Sequence, residues 1–172
     1  RQNGRDLIEW VANICLERHF SDVAPAYPIF PVLIVRDHLA TIAQDTIRNL
    51  ASPNHSKLAN SLLTGLELLD ADRQVNPAPS KYARTILDLL HQQPPGQVLN
   101  RADLLHEEID MTYFAPDTYR LESELLIVLL ATLVYAREIV LTIGGQQFDA
   151  TNFDALASIP LNDLLYFRYI ER

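Results

Sequence analysis

The chain has a single cysteine, Cys15. That excludes an internal disulfide and a cysteine-rich zinc site, and it fits a reducing compartment, the cytoplasm by default. Among the five glycines no G-x-x-x-x-G-K-[ST] arrangement occurs, so no loop of this kind cradles phosphates. Long apolar runs are also missing. The longest, Leu125 to Val134, is broken by Thr132 and is about half of the roughly 20 residues that a membrane helix needs. No basic-then-apolar segment opens the chain as a signal peptide would. Positive charge is scarce: 14 Lys and Arg face 22 Asp and Glu, a net charge of -8. The deficit is uneven, with -2 over residues 1–79 and -6 over residues 80–172. Because Lys and Arg supply most nucleic-acid affinity by neutralising phosphates, the second half repels nucleic acid.

What is present is helical periodicity, broken at a few clear points. Asp6 to Phe20 places Leu7, Trp10, Val11, Ile14 and Cys15 on one stripe, the pattern of an amphipathic helix. "VAPAYPIFPVLIV" carries prolines at 25, 28 and 31, which forbid a helix interior and predict an extended connection ending in a buried apolar run. A second helix is expected from about Asp37 to Leu50, and a third, capped by Ser56, runs to about Leu69. "DADRQVNPAPS" lacks periodicity and reads as the linker between a helical portion, 1–79, and a second unit.

In that unit Ser80 caps a helix ended by "QQPPG". Gln97 to Leu99 suit a short strand, and Asn100 is placed to cap a helix from Arg101 to Glu107. The apolar stretch Leu121 to Tyr135 reads as a long helix, and "IVLTIGGQQFDA" reads as two strands joined at Gly144-Gly145. This order of elements predicts a winged helix over 80–150 with the hairpin as its wing, followed by a C-terminal helical segment, 151–172. The expected fold class is therefore mainly α, in the α+β sense, with the helical portion packed on the winged helix. The opening on Arg1 and the closing "YFRYIER" read as a piece of a longer polypeptide.

In a winged helix the third helix normally enters the major groove by its first residues. Here these are Leu121, Glu122, Ser123 and Glu124, and no Lys or Arg lies between Arg120 and Arg137. Nucleic acid is thus not the expected partner of this face. The alternative is a nucleic-acid contact elsewhere, at Lys81, Arg84 and Arg101. Leu121 to Tyr135 is apolar nearly all round and requires cover on more than one side, by the N-terminal helices or by a partner groove. Within an expected helix from Leu161 to Ile170, Leu161, Leu164, Leu165 and Tyr169 form one stripe. Tyr166, Phe167 and Ile170 then face elsewhere as interaction candidates, toward another part of a parent protein, a second protein or a second copy of the chain.

Catalytic signals are weak. Asp103, His106 and Glu107 would share one short helix as candidate metal ligands, the basis for a small hydrolase, but the bland reading is a solvated surface. Cys15 with His19 at i+4 lacks an orienting group, and a buried inert thiol is the simpler account. No catalytic residue, metal or cofactor is assigned.

At "SKYARTILDLL", "GQVLNRADLL" and "LLIVLLATLVYAREIVLTIGGQQFDATNFDALA" the chain resembles a region of large bacterial P-loop ATPases of the PglY/BrxC type, from BREX/Pgl phage-defence systems. The likeness covers residues 80–172 best. It implies a non-catalytic segment of a much larger ATPase, and the missing phosphate loop agrees with that. The resulting expectation is a cytoplasmic protein-interaction module that is not itself an enzyme and contacts no membrane.

Overall fold

The computed structural model describes residues 24–172 and, of those before them, Val11 and Asp22. The amphipathic stretch around Cys15 and His19 therefore lies outside the described residues. Helix α1, Arg36–Arg48, buries Leu39, Ile42, Ala43, Thr46 and Ile47 along one stripe. Helix α2, Lys57–Gly65, starts as expected at Ser56, whose hydroxyl accepts from the Ala59 N–H at 3.1 Å. Helix α3, Lys81–His91, is capped by Ser80. Its Oγ accepts from Ala83 N–H at 3.2 Å and donates to the Leu66 carbonyl at 2.7 Å, so the cap also ties α3 to the end of α2.

The expected linker is a compact turn. Asp70 accepts from the N–H groups of Asp72 and Gln74 at 2.9 Å each, and Leu69 bridges Val75. One hydrophobic core runs across residues 79 and 80, from Leu39 on α1 to Ile170 near the C-terminus.

Strand β1, Leu99–Asn100, leads into α4, Arg101–Leu104, where the Asp103 carboxylate accepts from the Asn100 N–H at 2.8 Å. The helix expected through Glu107 ends here. Strand β2, Leu105–Glu108, pairs antiparallel with β3, Met111–Phe114, which pairs with β4, Leu121–Glu122. A helix through 105–108 would put Glu108 where the next apolar residue belongs. Pairing with the aromatic run "MTYF" instead buries Leu105 and Phe114 together.

Helix α5, Ser123–Tyr135, has every residue from Leu125 to Val134 buried. It is the centre of the molecule, met by α1, α3, β3, β4, β5 and the later short helix Phe153–Ala157. The cover expected from the N-terminal half is supplied by α1. Strands β5, Val140–Ile143, and β6, Gln146–Phe148, form the expected hairpin. Gly144 and Gly145 have φ of 56° and 85°, which an L side chain adopts only with strain.

A short 3₁₀ turn, Ala150–Asn152, precedes α6, Phe153–Ala157, and α7, Leu161–Leu164. The chain does not continue as a helix to Ile170. Strand β7, Tyr169–Glu171, inserts between β1 and β5, giving the antiparallel order β1-β7-β5-β6. The architecture is thus α+β, with seven helices and two antiparallel sheets among the described residues. None of those helices is long and apolar enough to cross a membrane.

Candidate functional site

The proline-rich connection 24–35 is held in place along its whole length. The Tyr82 hydroxyl donates to the Ala26 carbonyl at 3.0 Å, and Ala26 N–H donates to Thr118 O at 3.3 Å. Tyr27 donates its hydroxyl to the Glu122 carboxylate, with oxygens at 3.1 and 3.0 Å, and its ring meets Phe30 edge-on. Phe30 lies so close to Gly65 that a Cβ there would collide with its ring. Ser61 on α2 closes the clip, accepting from Val32 N–H at 2.9 Å and donating to Val32 O at 3.0 Å.

This clip fixes which way each side chain points. From Pro28 to Val35 burial alternates strictly: positions 28, 30, 32 and 34 turn inward, while Ile29, Pro31, Leu33 and Val35 are exposed. Ile29 is 88% exposed and Leu33 82%. A segment with one face on the core normally carries polar residues outward. Here the outer face is entirely apolar. A cleft of about 230 Å³ opens beside it, lined by Tyr27, Phe30, Leu33, Ile34, Arg36 and Glu122 among others. At the far end the Arg36 guanidinium touches the Met111 sulfur. There the turn between β2 and β3 presents Ile109, fully exposed, with φ of 54°. A β-branched residue in that backbone region is strained.

The floor of the cleft holds its one half-buried acid. Removal from water raises the Glu122 carboxyl above the usual carboxylate value, against the opposing pull of the Tyr27 hydrogen bond and Arg36. Burial first, and the neighbouring Glu122 charge second, push the Tyr27 hydroxyl well above its ordinary value. The Tyr27 hydroxyl therefore keeps its proton and donates it to the Glu122 carboxylate as a hydrogen bond. It anchors the segment.

The residues singled out from sequence lie elsewhere. Phe167 and Ile170 are core residues, 1% and 0% exposed, Phe167 from the turn after α7 and Ile170 from the inner strand β7. Of that group only Tyr166 is on the surface, at 75%, with the Arg101 guanidinium over its ring. Lys81 pairs with Glu67 at 3.2 Å. Arg101 donates to the Leu165 carbonyl at 2.7 Å, which leaves Arg84 with a single long bond to Ala78 O at 3.4 Å. Helix α5 has no exposed face to lay in a groove. Asp103 sits on α4, whereas His106 and Glu107 are successive residues of β2 and point to opposite faces. The described residues contain no group of three or more His, Cys, Asp or Glu able to hold a metal ion.

Sequence reading missed the ridge because it treated the eight apolar residues from Pro28 to Val35 as a buried run. The signal available was their number: a strand buried on one face needs only every second residue to be apolar. Comparison with curated proteins and with solved structures finds no match. A family described as "Family of unknown function (DUF6079) 4th domain" matches residues 39–172. That stretch includes everything from the first turn of α1 to the C-terminus and leaves the ridge just outside, and on it the chain belongs to the DUF6079 fourth-domain family.

Proposed function

We propose that this chain is a non-catalytic protein-interaction module, and that its ridge of Ile29, Pro31, Leu33 and Val35 docks on another domain of a larger protein. The observation that carries the reading is the apolar outer face of a segment clipped rigidly in place. Exposed apolar surface of this kind is costly in water and marks contact sites. Preorganisation lowers the entropy lost on binding. Ile109 adds a further apolar contact at the end where Arg36 meets Met111.

The occupant is taken to be a neighbouring domain because the family description numbers this unit as the fourth of several. The resemblance of residues 80–172 to PglY/BrxC-type ATPases makes a phage-defence ATPase the candidate parent, with ATP hydrolysed outside this unit. The order α3, β1, α4, α5, β5, β6 supports a winged-helix-like ancestry. The second sheet inserted before α5 and the strand β7 between β1 and the hairpin depart from the simple form.

The test is the pair Ile29→Ser and Leu33→Ser, made together in the fragment and in the longer protein. The fragment should keep its melting point, and its affinity for the remaining domains should fall at least tenfold. Unchanged affinity refutes the reading. So does an affinity that rises when residues 1–23 are deleted, which would assign the ridge to the chain's own N-terminal segment. Concentration-dependent dimerisation of the fragment, lost in the double variant, would assign it to a second copy.

A further inference from the structure

A cavity of about 490 Å³ lies between the connection and α2, with the ridge residue Pro31 in its lining, within the size range of small-molecule sites. His55, Lys57 and Arg73 line it, with Asn60 and Thr64 as further polar groups and Val32 as an apolar wall. No carboxylate lines it, although the chain carries 22 acidic residues against 14 Lys and Arg. Among the described residues the ion pairs are Lys81 with Glu67 and Arg120 with Glu108, so Lys57 and Arg73 are left without a counter-charge.

Three further features bear on this cavity independently. Lys57 is the first residue of α2, and the first turn has no acidic residue. A cation there adds to the positive end of the helix dipole, a placement that an anion offsets. His55 and Arg73 also border an adjoining hollow of about 140 Å³, so both stand between the two spaces. Arg73 is held with φ of 61°, its N–H donating to the Asp70 carbonyl at 3.0 Å. The Asp70 turn thus fixes the backbone that carries the guanidinium.

We propose that this cavity binds a small phosphate monoester, the phosphoryl group lying between Lys57 and Arg73 and its organic part against Val32. A phosphoryl group carries about -1.5 to -2 charges and three acceptor oxygens. It therefore offsets both free cations and offers acceptors to Asn60, Thr64 and a protonated nitrogen of His55. Guanidinium is well matched to phosphate oxygens, and lysine adds a point charge.

The experiment is a titration of the folded chain with inorganic phosphate and with glycerol 3-phosphate at constant ionic strength, followed by amide NMR. Saturable shifts at His55, Lys57 and Arg73 are expected, with the ester binding more tightly than the free ion. Arg73→Gln and Lys57→Gln should each weaken binding about tenfold, the loss of one charge-assisted contact. Arg48→Gln, an exposed cation outside the cavity, should not. Non-saturating shifts, or equal weakening in Arg48→Gln, would overturn the proposal in favour of diffuse screening. Saturation by inorganic phosphate with no gain for the ester would also overturn it.

Discussion

Helix α5 and the connection Pro28 to Val35 are both apolar almost without interruption, yet they meet water differently. Every residue of α5 from Leu125 to Val134 is covered, because at least six elements pack around it. The connection is held on one side by α2 and, through Ala26 and Tyr27 just before it, by α3 and β4, and its odd-numbered residues face out. An apolar run states how much surface wants cover. It does not state how many neighbours the chain supplies.

The sharpest way to break this comparison is to place the same charge in both regions. Leu129→Asp should abolish folding, since an unpaired buried charge costs several kcal/mol out of a total stability of about 5–15 kcal/mol. Leu33→Asp should leave the isolated chain within about 0.5 kcal/mol of the parent in denaturant melts, as exposed substitutions do. Similar losses in both would mean that the ridge is covered.

The C-terminal segment sharpens the contrast between neighbours in sequence. Phe167→Ala should destabilise by about 3–5 kcal/mol, the usual range for a buried aromatic. Tyr166→Ala should cost about 0.5–1 kcal/mol, the worth of an exposed cation–π contact with Arg101. The two chemical-denaturation midpoints should therefore separate widely.

The clip itself is tested by Gly65→Ala. Phe30 must give way, with a loss of about 1–3 kcal/mol as for other overpacked sites. Affinity for the neighbouring domains should fall with it, although residue 65 is not on the ridge. A smaller change is expected at the hairpin tip. Ile109→Gly relieves a left-handed backbone at a site with no packing to lose, so the melt should rise by up to about 1 kcal/mol while partner binding weakens.

Glu122→Gln probes the anchor by pH. The folded carboxyl titrates above the usual 4.5. Below that value both states are protonated and stability is undiminished. As pH rises the unfolded state ionises first, and stability falls until the folded carboxyl has ionised too. The variant should lack this fall and should melt higher than the parent at neutral pH. An identical pH dependence would show that Glu122 does not titrate differently in the two states.

Local signals that are complete within a few residues were readable in advance. Ser56 and Ser80 cap α2 and α3, Gly144-Gly145 turns the β5–β6 hairpin, and the three prolines keep 24–35 extended. Signals shared between two periods were not. Leu161, Leu164, Phe167 and Ile170 are all buried, a spacing that resembles a helical stripe, but the last two reach the core from a turn and a strand. The site residues fared worse, because Tyr27 and Glu122 are 95 positions apart and neither has a motif around it.

The sequence by itself determined where the backbone could be helical, extended or turned, since caps, prolines and glycines act through bonds and contacts a few residues long. It also determined that α5, apolar nearly all round, needs cover on more than one side. Only the tertiary structure decided that β7 would slot between β1 and β5, that Ser61 and Gly65 would clip the connection with Ile29 and Leu33 outward, and that His55, Lys57 and Arg73 would share one cavity. Each of these depends on which distant surfaces pack together. That choice follows from the sum of many weak long-range contacts, to which no single stretch of sequence holds the key.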